Sequence, residues 1–323
     1  MIKINIIFAN LALALSCGCA YADIVFDGRF SNGDFFGYRA LEANGAFSTG
    51  TSEPNGVSAR LERVLAPAGF GESVRATYVI GDKPTHGGYR SELSTFSDPI
   101  GSERWYSWGY YLPDAWKTVK NEVAIAQIHS LADVGESDMR NPPLALLVAN
   151  GKLKLVNSFD YDKITSPPDR KPVAGVDFER RELASWVLET NKWTYLVLHV
   201  KWAADDTGFF EFWKDGELLF KESDHINTFN DERGLWFKSG LYDWSPNPVS
   251  MSAYSTGIKI GDGNETFQSI SISPSINETL RSMSMSIAPE PGIYFMMLIG
   301  VIVINFSAHR RESTFITRGK INT

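Results

Sequence analysis

Three short stretches carry side chains that can hold an anion or move a proton. Tyr89-Arg90-Ser91-Glu92-Leu93 spaces Arg90 and Glu92 two residues apart, and Ile125-Ala126-Gln127-Ile128-His129 does the same for Gln127 and His129. Trp236-Phe237-Lys238-Ser239-Gly240-Leu241-Tyr242 spaces Lys238, Gly240 and Tyr242 in the same way. Side chains alternate along a strand, so each set shares one face, with Ala126, Ile128, Phe237 and Leu241 turned away. Burying Arg, Gln, His, Lys and Tyr without partners is expensive. One groove lined by all of them is the economical arrangement, and the glycine between Lys238 and Tyr242 leaves room for a ligand to approach the backbone. Singly, each has a plain reading: Arg90 with Glu92 as a surface ion pair, His129 as a hydrogen-bonded structural histidine, Lys238 and Tyr242 as an edge lysine and a half-buried tyrosine. Convergence of all of them marks a site.

The elements that must position these residues are strands. Between Asp23 and about Ile276 the dominant period is two, with frequent turn signals. Asn150-Gly151 and Asp215-Gly216 each join two apolar runs, a strong two-residue hairpin signal. Strands are predicted at 24–26, 57–64, 74–79, 105–111, 123–129, 144–148, 153–156, 193–202, 209–213, 218–220, 235–242 and 267–272. No long amphipathic helix and no repeat interrupts them. The fold class is all-β, a jelly-roll sandwich of two antiparallel sheets with a concave groove. The polar, Pro-containing stretches 133–143 and 161–173 suit mobile loops over that groove.

The 323 residues are 43% hydrophobic with a net charge of −7, enough for one core and against a general nucleic-acid binder. A local basic groove is still compatible with an acidic protein. Residues 1–22 read as a signal peptide: Lys3, an apolar run from Ile4 to Leu15, then Ala20-Tyr21-Ala22. Both cysteines, Cys17 and Cys19, precede that cut, so the mature body of 23–276 has no thiol chemistry. A linker at 277–288 leads to 289–312, where Pro289-Glu290-Pro291, an apolar run to Phe306 and His309-Arg310-Arg311 follow in order; 313–323 is a polar tail. That order resembles the PEP-CTERM sorting signal of Gram-negative bacteria that make extracellular polysaccharide. The resemblance implies an exosortase-type sorting partner, membrane contact only through terminal segments, and a destination in the periplasm, at the cell surface or in the matrix.

The three strand motifs, in order, resemble the signature strands of jelly-roll polysaccharide lyases: Arg90-Ser91-Glu92-Leu93, Gln127-Ile128-His129, and Lys238 to Tyr242. The surrounding sequence is similar to the heparin lyase I and glucuronan lyase group. Tyr111-Leu112-Pro113 with Trp116, the Trp193–Lys201 strand with Asp215-Gly216, and Ile258-Lys259-Ile260-Gly261 carry that likeness. Asp243-Trp244 departs from the Asn-Gln usual after the tyrosine of alginate lyases. The resemblance implies β-elimination on a uronate-containing acidic polysaccharide. In it Arg90 and Gln127 hold the carboxylate, and His129 and Tyr242 are the proton-transfer pair. Which of the two takes the C5 proton depends on the sugar's configuration. Lys238 and Arg90 are expected to favour the Tyr242 phenolate. Glu92 is expected to orient Arg90 or Lys238, and Trp244 to stack on a sugar.

Other features read as structure. His199 lies in a core strand, His86 in a turn beside Gly87-Gly88, and Trp105, Trp108, Trp116, Trp213 and Trp236 belong mostly to the core. No His or Cys pair has ligand spacing and no cofactor is expected; Asp262, Asn264 and Thr266 offer alternate oxygens for a structural calcium, with a polar turn as the plainer reading. Two other functions remain open: a non-catalytic polysaccharide-binding jelly roll, and a glycoside hydrolase, for which paired acids are lacking.

Overall fold

Alternating apolar and polar residues become strands throughout. The computed structural model describes residues 22–274, apart from 31–34, 36, 50–59 and 138–139. In chain order the strands are β1 (Ile24–Asp27), β2 (Ala40–Ala43), β3 (Ala46–Thr49), β4 (Leu61–Leu65), β5 (Glu72–Tyr78), β6 (Tyr89–Ser94), β7 (Glu103–Tyr111) and β8 (Val123–His129). Then come β9 (Leu144–Ala149), β10 (Lys152–Phe159), β11 (Glu179–Val187), β12 (Trp193–Lys201), β13 (Phe209–Lys214), β14 (Glu217–Ser223), β15 (Trp236–Asp243) and β16 (Met251–Asp262). One sheet runs β14-β13-β12-β7-β16-β5-β4, with β1 also paired to β16; the other runs β11-β10-β9-β8-β15-β6-β2-β3. Every strand pairing is antiparallel, so the all-β two-sheet sandwich read from the sequence is the fold.

The inward faces of both sheets meet in one core that includes Leu41, Leu93, Tyr106, Trp108, Ile128, Leu146, Leu198, Phe212, Phe237 and Leu241. Each such side chain contributes about 1.5–3 kcal/mol by leaving water. That burial fixes the register, because a slip of one residue would turn the whole set outward. Both predicted hairpins form: Asn150-Gly151 and Asp215-Gly216 take positive φ at both positions, as a type I′ turn requires. Asn44-Gly45 does the same between β2 and β3, a signal of equal strength in a pair of strands that the period-two reading passed over.

Some expectations are corrected. Phe267–Ile270 is a short α-helix, α1, not part of a strand over 267–272. Thr266 caps it by accepting from the Ser269 backbone N–H, and Ser269 returns the bond to the Thr266 N–H, a capping box. Ile270 is then buried beside Trp105 and Val197. Of the segment expected at 57–64, the strand runs 61–65 and residues 57–59 lie outside the described residues. Strand β11 was also missed, since Glu-Arg-Arg-Glu at its start has no apolar alternation and lies largely exposed. The two loops are clipped together rather than free. Glu136 accepts from Arg140 at 2.5 Å and from the Thr165 backbone N–H, and Arg140 also meets Asp231 at 2.5 Å, all with buried side chains. Asp262 accepts twice from Asn264 while Thr266 caps α1, which is the geometry of a polar turn.

The chain divides into two compact units, Met1–Ser273 and Pro274–Thr323. The expected signal peptide through residue 21, the sequence from 275 onward with its linker, PEP-CTERM-like segment and tail all lie outside the described residues. Among the described residues no helix is long and apolar enough to cross a membrane.

Candidate active site

The outward face of the second sheet gathers the chemistry-bearing residues. Ile128, Phe237 and Leu241 point into the core. Tyr242 instead packs on a separate cluster of Ala124, Ala145, Leu147 and Val156, on the opposite side of the same sheet. Strand register places Lys238 across from Gln127, Tyr242 across from Arg90, and Gly240 across from Glu92. Direct cross-strand partners share a face. Arg90, Glu92, Gln127, His129, Lys238 and Tyr242 therefore converge, as their spacing predicted.

Their contacts form one network. Glu92 accepts from Gln127 Nε2 at 2.6 Å through one oxygen, and from Lys238 Nζ at 2.9 Å and Arg90 Nη1 at 3.2 Å through the other. Glu92 therefore orients three neighbours at once. Lys238 also meets Glu42 Oε1 at 2.9 Å and is only 3% exposed, so two of its three N–H donors are engaged by carboxylates inside the protein. Arg90 gives Nη1 to Glu42 and Glu92 and Nη2 to the His86 carbonyl, which engages most of the fork expected for a bidentate grip. Its Nε is buried without a hydrogen-bond partner among the described residues. Gln127 has spent one N–H on Glu92, leaving its second N–H for a ligand.

Glu42 is the residue that sequence reasoning missed. It bridges Lys238 and Arg90, accepts from or faces His86 Nδ1 at 3.1 Å, and is 5% exposed. Burial pushes its carboxyl up, but Lys238 and Arg90 outweigh that and hold it down at about 2. Two carboxylates thus face two cations. Replacing Glu42 by Gln leaves Arg90 and Lys238 against Glu92 alone. Breaking one side of a buried charge set is costly, so Glu42→Gln is expected to lose on the order of 3 kcal/mol in thermal unfolding. A melting temperature equal to wild type would show that Glu42 does not hold this cluster.

The proton-transfer candidates titrate in opposite directions. Burial lowers the His129 imidazole, Lys238 and Arg90 lower it further, and the group falls to about 3, so it is neutral at neutral pH. His129 is partly exposed, with its Nδ1 buried. Trp236 lies directly across the strand from His129, ring centroids 5.2 Å apart, and so borders the site instead of joining the core. Burial raises the Tyr242 phenol; Arg90 opposes this and Glu92 adds to it. Desolvation wins over the expected pull of the two cations: Arg90 and Lys238 do lower the phenol, but burial, with Glu92 adding to it, outweighs them.

Two glycines shape the seat of Tyr242. A Cβ on Gly88 would lie 2.2 Å from Tyr242 Cε2, so the turn carrying His86 can press against the ring only because residue 88 has no side chain. Arg90 Cζ lies 3.9 Å from the ring centroid, and Trp244, 43% exposed, stands at 5.4 Å. Gly240 makes no room for a ligand. A Cβ there would lie 2.0 Å from the Ser91 carbonyl oxygen, at a φ of +140, where the register of β15 against β8 also shifts. Its space belongs to the backbone of β6. His86 is both turn and site border, with a φ of 46. His199 sits elsewhere, on the other sheet between Glu211 and Glu103 at 2.9 and 2.8 Å.

A family model described as polysaccharide lyase matches residues 30–268. Among solved structures, the endo-β-1,4-glucuronan lyase from the fungus Trichoderma reesei is 21% identical with a TM-score of 0.55, covering 77% of this chain and 98% of that one. The alginate lyase AlyC3 is 13% identical with a TM-score of 0.46, covering 72% and 94%. No curated protein matches in sequence. At these identities the first likeness is one of fold.

Proposed function

This chain belongs to the polysaccharide lyase family, and from that premise we propose that it cleaves a uronate-containing acidic polysaccharide by β-elimination at the outer face of the second sheet. The observation that carries the reading is the convergence of His129 and Tyr242 beside Arg90 and Gln127 on one face of the second sheet, with burial favouring a neutral imidazole and a protonated phenol. In this reading the substrate carboxylate takes hydrogen bonds from the remaining Arg90 Nη2 N–H and the second N–H of Gln127. Those donors stabilise the negative charge that develops as the C5 proton leaves. His129, free to accept, takes that proton; the C5–H electron pair forms the C4–C5 double bond; the C4–O bond breaks; and Tyr242 gives its proton to the departing oxygen. Glu42, Glu92 and Lys238 hold Arg90 and Gln127 in place.

Glucuronan is the first substrate to try, followed by heparin-type and alginate chains, and action at the cell surface or in an exopolysaccharide matrix after export completes the reading. No metal or cofactor has a part in these steps. Incubation with a panel of uronate polysaccharides is expected to yield unsaturated ends that absorb in the ultraviolet. The rate profile should show no enzyme-derived acid limb near ~6.5, the ordinary histidine value, because His129 stays neutral down to about 3. New reducing ends without unsaturation would point to hydrolysis, and binding without cleavage to a matrix-binding role.

A further inference from the structure

The face that bears the site does not end at Arg90. Beyond β6 the sheet continues through β2 to its edge strand β3, and Phe47 on β3 is the direct cross-strand partner of Glu42. Direct partners project from one face, so the Phe47 ring stands on the same surface as Arg90 and Tyr242. It is 47% exposed, a large apolar group left in water on the edge of a polar site. His86, its side chain 58% exposed, meets it edge-on at 5.1 Å. The pair is tied to the site through His86: its Nδ1 lies 3.1 Å from Glu42, and its carbonyl accepts from Arg90 Nη2 at 3.1 Å.

We infer that Phe47 and His86 form a sugar-stacking subsite for a further pyranose unit of the same polysaccharide chain whose uronate sits at Arg90. The inference rests on the lyase reading above. Neighbouring strands lie about 4.8 Å apart, close to the length of one pyranose unit, so Phe47, two strands from Arg90, lies about two units along a chain crossing the strands. A uronate carries its charge at the ring edge and presents C–H groups on its face. An exposed phenyl ring receives that face, as pockets for such ligands combine aromatic walls with a few polar anchors. Trp244, 43% exposed and 5.4 Å from the Tyr242 ring, is a second exposed aromatic side chain at the site.

The test compares wild type, Phe47→Ala and Phe47→Trp on glucuronan or alginate, whichever wild type cuts, and on the shortest oligosaccharide of that polymer that wild type cuts. Aromatic contacts of this kind are worth roughly a 3- to 10-fold change in binding. Phe47→Ala is expected to raise KM for the polymer by that factor, with kcat within twofold and the short oligosaccharide unaffected. Phe47→Trp should restore the polymer KM. An unchanged polymer KM, or an equal loss on both lengths, overturns the subsite. Wild type yielding no unsaturated product on any chain would instead overturn the parent reading. Melting temperatures of the variants should match wild type, since Phe47 is half in solvent.

Discussion

Tyr242→Phe is expected to reduce formation of unsaturated ends by about 10³-fold, within the ~10² to 10⁴ that a positioned proton donor supplies. The substitution removes one oxygen and leaves the ring. The contacts that seat the ring are the Arg90 guanidinium at 3.9 Å, Trp244 at 5.4 Å and the bare backbone of Gly88; the hydroxyl adds only a hydrogen bond with Arg90, whose guanidinium is already held by Glu42 and Glu92. Stability should therefore stay within about 0.5 kcal/mol of wild type, and affinity for the polymer should persist. Burial keeps the phenol protonated, so the oxygen enters the reaction as a donor. Rates of product absorbance for the two proteins at equal concentration decide the matter. A phenylalanine variant as fast as wild type would remove Tyr242 from the chemistry.

Gly240→Ala is expected to be the most damaging single methyl group on this face. The added carbon would lie 2.0 Å from the Ser91 carbonyl oxygen and 3.0 Å from Glu92 Cα, and the φ of +140 is one that alanine resists. Both opposing atoms are backbone, so neither can rotate away. Strain of this sort costs about 1–3 kcal/mol for the torsion alone, and separating β15 from β6 adds to it. A loss of about 3 kcal/mol corresponds to roughly 10 °C for a domain of this size. Activity should fall with it, because Glu92 on β6 and Lys238 on β15 would move apart. Thermal unfolding of the variant within two or so degrees of wild type would mean that the β15–β6 approach is softer than its geometry indicates.

The parts legible in the sequence were those with local signals. Arg90, Gln127, His129, Lys238 and Tyr242 lie in strands whose alternate residues are strongly apolar, so the face each occupies follows from parity alone. Glu42 was hidden because Ala-Leu-Glu-Ala is four residues long and built of helix-favouring types. Its partners lie in β6 and β15, remote in sequence, and only the sheet order brings them together. Gly240 was visible as a glycine, but which neighbour filled its space depended on the shift of register against β8. The direction of the Tyr242 shift needed the burial of the ring, which only the assembled sheet supplies. Phe267–Ile270 looked like a strand because Ile270 and Ile272 alternate, whereas the Thr266 cap closes a helical turn there.

Glu42 and Glu92 opposite Arg90 and Lys238 leave the floor of the cleft with no excess charge, in a protein that is itself acidic. Such a surface has no far-reaching pull on a polyanion, and capture must come from close fit and ring contact once the chain has already arrived. The same balance acts on departure. On the lyase reading proposed above, a freshly cut uronate fragment would meet no electrostatic trap at these residues, and slow product release is not expected. An unbalanced basic cleft would gather its polymer faster and release it more slowly.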